Sequence, residues 1–181
     1  EPGRIVHELR FGPTARQALG DGHAYYGSAD ATPLFVMLLG QLTRWRTLDQ
    51  RIHDLVPAAD RALEWLTGLG DKDGDGFVEY ERATPAGLVN QGWKDSPDGV
   101  TFRDGRVATA PIALAEVQGY TYAAFRARAR LATLQGDHAT AERWADRARE
   151  LKRRFNHAFW LPDVGWYAVA LDGEKRPVDA L

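Results

Sequence analysis

Apolar side chains recur every three or four residues in four stretches of the chain, and this spacing predicts four amphipathic helices. The predicted spans are Pro33 to Arg46, Asp49 to Leu66, Ala110 to Gly136 and Asp137 to Phe155. The link between the first two is very short, so these helices should form an antiparallel pair. Long loops that carry polar and aromatic residues join the helical pairs, and this arrangement predicts a toroid of helical hairpins.

The segments outside the helices carry turn signals. Residues 1 to 31 show little periodicity and predict loops with short extended or helical turns. Asp98-Gly99 and Asp104-Gly105 flank a short apolar stretch and predict a β-hairpin. The tail from Phe159 to Gly173 predicts two more short strands, joined around residues 162–165. The predicted fold class is therefore all-α, with long loops and a short β-hairpin.

Composition narrows the possible partners. The 181 residues are 44% hydrophobic and 27% charged, with a net charge of -2 and no cysteine. These values are typical of a globular domain and give no electrostatic reason to expect nucleic acid or a membrane surface as partner. The chain contains no Gly-rich phosphate loop and no zinc-type histidine spacing, so we expect neither a cofactor nor a metal. The N-terminus lacks the layout of a secretory signal, which favours a cytoplasmic location.

The segment from Asp71 to Arg82 resembles the first half of an EF-hand calcium loop, with aspartates at every second position from 71 to 75. The twelfth position of such a loop is a bidentate Glu, and here it is Arg82. Glu79 or Glu81 could replace it only with a different loop geometry. We therefore interpret the segment as a tight acidic turn, with bound calcium as the alternative.

The loop from Gly87 to Gly99 carries an aromatic ring, a cation and a carboxylate side by side. Trp93 can lie against the apolar face of a sugar ring, and Gln91 and Asp95 can bond to its hydroxyls. Lys94 lies beside Asp95 and can alter the acidity of that carboxyl, as an acid catalyst requires. These residues predict a saccharide pocket. The alternative is an ordinary helix-to-helix loop with a buried Trp and an Asp cap.

Two further segments place polar groups near the predicted helix starts. Tyr26 and Asp30 come just before the first helix, where Asp30 either points into a cavity or caps the helix. Glu116 and Gln118 lie near the start of the third helix. They are either hydroxyl ligands and a second carboxylate or, in the case of Glu116, a charge that complements the helix N-terminus.

Four sequence motifs, at residues 25–35, 73–80, 90–96 and 111–120, occur in this order in one group of proteins. Together they resemble bacterial glycogen-debranching-like proteins of the amylo-alpha-1,6-glucosidase type, and the resemblance spans nearly the whole chain. It implies an (α/α)6 barrel related to glucoamylase, trehalase and the processing alpha-glucosidases. It also implies inverting hydrolysis of alpha-glycosidic bonds in glucans or small alpha-glucosides.

The resemblance also implies roles for single residues. Asp95 becomes the candidate general acid, although some relatives carry the Asp directly after the aromatic residue, where this chain has Lys94, so Glu116 is the rival. Asp30 matches a position that holds sugar hydroxyls in relatives. The residues expected to contact substrate are Tyr26, Asp30, Gln91, Trp93, Lys94, Gln118 and Tyr120.

An inverting mechanism needs a second carboxylate as general base. In the family it lies toward the C-terminus of the barrel, and four helices cannot close a ring of six helical pairs. We therefore expect residues 1–181 to be the N-terminal portion of one catalytic barrel, inactive alone, with an open side that self-associates or meets a missing C-terminal half. Two alternatives are a sugar epimerase or isomerase on the same toroid and a non-catalytic helical-hairpin scaffold.

Overall fold

The computed structural model describes residues 1–12, 23–45, 50–85 and 87–180, and helices dominate this part of the chain. Its helices are α1 (Ala31–Trp45), α2 (Gln50–Leu66), α3 (Ala115–Leu134) and α4 (His138–Ala158). The four predicted helices are confirmed, whereas the predicted Asp49 cap lies outside the described residues. None of the described helices is long and apolar enough to cross a membrane.

Within the described residues, short antiparallel strands form three small sheets. The strands are β1 (Glu8–Leu9), β2 (Ala24–Tyr25), β3 (Ala113–Leu114), β4 (Trp160–Leu161), β5 (Trp166–Tyr167), β6 (Ala170–Leu171) and β7 (Pro177–Val178). β1 pairs with β2, β4 pairs with β5, and β6 lies between β3 and β7. The two strands predicted in the tail are confirmed as β4 and β5. The predicted hairpin near residue 100 is also present, since Thr101 pairs with Val107.

The third helix begins at Ala115 and not near Ala110, so the predicted start was wrong. Ile112 exchanges backbone hydrogen bonds of 2.9 and 3.0 Å with Tyr80. Immediately after it, β3 pairs with β6. The backbone groups of residues 112–114 are thus committed to partners far away in the chain, and a helical turn cannot also use them.

The helices pack around α3, which lies against both α1 and α4. Gly40 of α1 faces Ala127 of α3 so closely that a Cβ on Gly40 would lie 2.3 Å from the Cβ of Ala127. On the other side, Trp144 of α4 stacks on Phe125 with ring centroids 5.3 Å apart. The absence of a side chain at Gly40 therefore sets how closely α1 and α3 approach.

The N-terminal ends of α1 and α3 lie at the same end of the helical layer. The Ala29 backbone N–H, just before α1, donates a 2.7 Å hydrogen bond to the Gln91 carbonyl. Gly92, in the same loop, packs against Leu114, the residue that precedes α3. The loop of residues 87–99 is therefore fixed across the starts of both helices.

Candidate active site

Buried polar contacts hold the loop of residues 87–99 in place. Asn90 is buried, accepts a 2.7 Å hydrogen bond from the Tyr80 hydroxyl and donates one of 2.6 Å to the Ser96 carbonyl. At Gly92 a Cβ would lie 2.3 Å from Leu114 Cδ1 and 3.6 Å from Glu116 Oε1. A side chain at this position would therefore displace the floor of the loop. The Glu116 carboxylate lies directly beside the glycine.

Glu116 occupies the first turn of α3 and is half-buried. Burial raises the pKa of its carboxyl above the ordinary value, and the negative charge of Asp30 acts in the same direction. A hydrogen bond from its own backbone N–H and the positive charge of Lys94 act in the opposite direction without cancelling the increase. A carboxyl with a raised pKa holds its proton to higher pH, which is the property of a general acid.

A cavity of about 360 Å³ opens in front of this carboxyl. The loop side contributes Trp93 and Lys94, whose ammonium lies 5.5 Å from the Trp93 ring centroid. Trp166 and Tyr167 of β5 line the same cavity. Trp93 and Trp166 are 70% and 64% exposed. Two indole rings thus present exposed apolar surface in a cavity that a carboxyl and an ammonium group also line.

Sequence reasoning missed the aromatic residues of β5. The tail was predicted to form strands, but nothing in a local pattern tells which cavity a strand reaches. The sequence feature that could have indicated these residues is the aromatic pair Trp166-Tyr167 directly after Gly165. In the structure Gly165 forms a turn and has a φ of 68°. In the structure the Tyr167 hydroxyl donates a 2.9 Å hydrogen bond to the Asn156 side-chain carbonyl, which fixes the strand against α4.

Asp95 stands apart from this cavity. Its side chain is exposed, and no described residue forms a hydrogen bond or ion pair with it. The cavity is lined by its neighbour Lys94 but not by Asp95. The role of Asp95 as general acid therefore stays a prediction.

Asp30 and Tyr26 have different surroundings in the structure. Asp30 is half-buried, accepts a hydrogen bond from the Ser28 hydroxyl and is close enough to Glu116 to raise the pKa of that carboxyl. The Ser28 hydroxyl also accepts a 3.1 Å hydrogen bond from the first N–H of α1, so Ser28 and not Asp30 satisfies that group. Tyr26 lines a separate cavity of about 250 Å³, together with Gln91.

The two glutamines predicted as sugar ligands are buried and bonded within the protein. The Gln118 carbonyl accepts a 2.9 Å hydrogen bond from Val78 N–H, and its amide donates to the carbonyls of Val78 and Leu114 at 2.8 and 3.0 Å. Gln91 accepts a 3.0 Å hydrogen bond from Arg4 and donates a 3.3 Å one to a backbone carbonyl. These contacts brace the loops behind the cavity.

Tyr120, the remaining predicted ligand, is half-buried on α3 and follows Glu116 by one helical turn. Residues four positions apart share one face of a helix. Tyr120 is not among the residues that line the cavity, and its predicted contact with substrate stays a prediction.

The acidic loop folds as a tight turn. Asp71 accepts hydrogen bonds of 2.9 and 3.0 Å from the backbone N–H groups of Gly74 and Gly76. Carboxylate oxygens of Asp71, Asp73 and Glu79 lie within 4.8 Å of one another, a spacing that could hold a metal ion.

A cation from the far end of the chain already reaches this loop. Lys175 Nζ lies 2.9 Å from Asp73 and 2.7 Å from Asp75, and it also pairs with Glu79. Burial alone would lower the pKa of Lys175, but hydrogen bonds to these carboxylates raise it above its ordinary value. The ammonium group therefore offsets part of the negative charge of the turn and links the turn to the β6–β7 hairpin.

Comparison with known proteins points to one family. The family model described as "Mannosylglycerate hydrolase MGH1-like glycoside hydrolase domain" matches residues 23–181. A search of curated proteins found no match. The matched range includes the loop of residues 87–99, Glu116 and β5. This match supports the glycoside hydrolase assignment that the resemblance of the four sequence motifs implied. Specificity for glycogen branch points stays a prediction.

Proposed function

Because the chain belongs to the mannosylglycerate hydrolase MGH1-like glycoside hydrolase family, we propose that its cavity binds a sugar for hydrolysis of an α-glycosidic bond. The observation that carries this proposal is that two exposed indole rings, Trp93 and Trp166, line the same cavity as the half-buried Glu116 carboxyl. A volume of about 360 Å³ suits one or two sugar rings. Family membership favours hydrolysis over the epimerase and scaffold alternatives.

The aromatic rings supply binding surface and the charged groups supply orientation. The C–H faces of a sugar ring are apolar, so they pack on indole rings without loss of hydrogen bonds. Glu116 lines the cavity, where its carboxyl can bond to a hydroxyl. Lys94 is the cation that lines the cavity and suits an aglycone that carries a carboxylate, such as the glycerate for which the family is named.

Asp95 is our first candidate for the proton donor, because it follows Trp93 by two residues and no described residue forms a hydrogen bond or ion pair with its carboxylate. Glu116 is the second candidate, because burial raises its pKa and it lines the cavity directly. The two assignments make different predictions for substrates with different leaving groups. A missing general acid matters most when the leaving group is a poor one.

The test measures kcat/KM for Asp95→Asn and Glu116→Gln on a natural glycoside and on the corresponding glycosyl fluoride, in the natural full-length polypeptide that contains these residues. The fluoride leaves without a proton. If Asp95 is the donor, Asp95→Asn loses about 100-fold or more on the glycoside but far less on the fluoride, whereas Glu116→Gln loses similar factors on both. The reverse pattern assigns the donor to Glu116. Equal activity of both variants and the wild type on both substrates refutes a catalytic role for either residue.

The substrate panel should contrast neutral with anionic aglycones. It contains isomaltose, panose, trehalose, a branched glucan, glucosylglycerate and mannosylglycerate. Lys94→Met should reduce turnover of the two glycerates much more than that of the neutral sugars, because only they carry a carboxylate for the ammonium to bind. A uniform loss over the whole panel would instead assign Lys94 to shaping the loop.

We further propose that residues 1–181 form the N-terminal portion of an (α/α)6 barrel whose general base lies elsewhere. The described helices make two helical hairpins, α1–α2 and α3–α4, whereas the barrel needs six. An inverting pair of carboxyls lies roughly 6.5–9.5 Å apart. Robust glycosidase activity from the 181 residues alone, lost in Asp95→Asn, would refute this part of the proposal.

A further inference from the structure

The position of the Asp95 carboxyl depends on the backbone of its own loop. Among the backbone groups of residues 92–98, only the Ser96 carbonyl forms a hydrogen bond to another described residue. It accepts one of 2.9 Å from the Gly99 N–H, which belongs to the same turn, and one of 2.6 Å from the Asn90 side chain. Since Asn90 is 1% exposed, its amide is the polar group that ties this turn to the protein interior.

The Asn90 side chain is itself held in one orientation. Its Oδ1 accepts a 2.7 Å hydrogen bond from the Tyr80 hydroxyl. The Ser96 carbonyl can only accept, so the amide must present its N–H to that carbonyl and its oxygen to Tyr80. Burial raises the pKa of the Tyr80 hydroxyl, and the negative charge of Glu116 acts in the same direction. The hydroxyl therefore stays protonated at neutral pH and remains a donor to Asn90.

Tyr80 connects this turn to the start of α3. Its backbone exchanges hydrogen bonds with Ile112, which lies just before β3 and α3. Tyr80 and Ile112 are both buried, so this connection lies in the core. A chain of hydrogen bonds thus runs from the Ser96 carbonyl through Asn90 and Tyr80 to the strand that leads into α3. These bonds fix the turn of residues 92–99 relative to that helix.

We propose that Asn90 is a positioning residue, which acts through the Ser96 carbonyl to hold the Asp95 carboxyl where it donates its proton. The inference rests on the proposed function, in which Asp95 is the first candidate for the proton donor. Displacement of a catalytic group by about 1 Å can lower a rate by about 100-fold, because proton transfer requires hydrogen-bond distance. Asn90 does not line the cavity, so its loss should impair proton donation more than sugar binding.

The test compares Asn90→Leu with the wild type in the natural full-length polypeptide, on the best glycoside of the panel and on the glycosyl fluoride of the same sugar. Leu keeps the branched shape of Asn but can neither donate nor accept a hydrogen bond. We expect kcat/KM to fall about 30-fold or more on the glycoside and less than about threefold on the fluoride, which leaves without a proton. In the Asp95→Asn background, Asn90→Leu should cost the glycoside less than about threefold more, because the group that it positions is already lost.

A second variant, Tyr80→Phe, removes only the hydroxyl that orients Asn90 and should show the same preference for the fluoride to a smaller degree. It decides the question if Asn90→Leu does not fold, as checked by circular dichroism and melting curves. The matched control is Thr43→Val, which removes a buried hydrogen bond of 2.8 Å to the Gly40 carbonyl within α1. It should lower the melting temperature but leave the ratio of the two kcat/KM values unchanged.

Equal losses on both substrates would overturn the inference, because a merely looser loop impairs both reactions. An undiminished loss in the Asp95→Asn background would also overturn it, as would wild-type kinetics in both variants. Each of these results leaves the proposed function standing, because the wild type still hydrolyses the glycoside. A wild type that hydrolyses neither substrate refutes the proposed function, and the inference falls with it.

Discussion

Removal of the Lys175 ammonium should destabilise the protein through a single buried carboxylate. The Glu79 side chain is completely buried and that of Lys175 is 29% exposed. Loss of one partner of a buried ion pair costs about 3 to 5 kcal/mol, because the other charge is left without compensation. Water reaches Lys175 in part, so we expect Lys175→Met to lower the free energy of unfolding by about 2 to 3 kcal/mol.

The loss of stability in Lys175→Met should depend on pH. In the wild type, the raised pKa of Lys175 contributes stability that is present below about pH 10 and is lost only as pH rises through the folded-state value. Burial raises the pKa of Asp73, but the hydrogen bond and positive charge of Lys175 and a hydrogen bond from the Asp75 backbone N–H together lower it below the ordinary value. The contribution of Asp73 is therefore lost as pH falls below about 4. In Lys175→Met, the isolated Glu79 regains a proton in acid. The stability difference should therefore shrink between pH 7 and pH 5.

The assay is urea unfolding followed by tryptophan fluorescence at both pH values. Met keeps the length of the side chain and the same backbone conformation, which has a φ of 60° at this residue, so the difference reports the ammonium group. Glu79→Gln added to Lys175→Met should recover a large part of the loss, and Lys152→Met on the exposed face of α4 is the control. A Lys175→Met variant within about 0.5 kcal/mol of the wild type would refute the reasoning.

Two further predictions concern the active site. Gly92→Ala should lower both stability and glycoside binding, because its Cβ would lie 2.3 Å from Leu114 Cδ1. Adding Leu114→Ala to this variant should restore glycoside binding, as measured by calorimetry. If binding is not restored, the glycine has another role. The pKa of Glu116, measured by NMR titration, should lie above the ordinary value. It should fall in Asp30→Asn and rise in Lys94→Met, because the two charges act on it in opposite directions. Shifts of the opposite sign would contradict the geometry.

The helices could be predicted because their signals are local. Apolar periodicity located all four, and Asp137 caps α4 by accepting a 3.0 Å hydrogen bond from Thr140 N–H. The start of α3 could not be predicted, because it depends on the pairing of Ile112 with Tyr80 and of β3 with β6, which lie far apart in the chain. Local propensity yields to such tertiary pairings.

Only part of the candidate site could be predicted from the sequence. The sugar pocket was predicted from Gln91, Trp93, Lys94 and Asp95, of which Trp93 and Lys94 line one cavity with Glu116, whereas Gln91 and Asp95 do not line it. Trp166 was missed, because its position depends on how β5 returns over α4. Gln118 looked like a ligand in sequence, but its amide bonds to the backbone of Val78, 40 residues earlier. Polar residues in a sequence do not reveal whether they face a cavity or the interior.

The measurement that tests the central claim most directly is glycoside binding to Trp166→Ala by isothermal titration calorimetry. Trp166 lines the cavity and was not selected by any sequence motif, so it tests the geometry itself. Trp45→Ala is the control, because that indole is also exposed but lies on α1 outside the cavity. We expect the dissociation constant of the best-bound glycoside to rise about tenfold in Trp166→Ala and to stay unchanged in Trp45→Ala. Unchanged affinity in Trp166→Ala, with binding intact in the wild type, would contradict the assignment of this cavity as the sugar site.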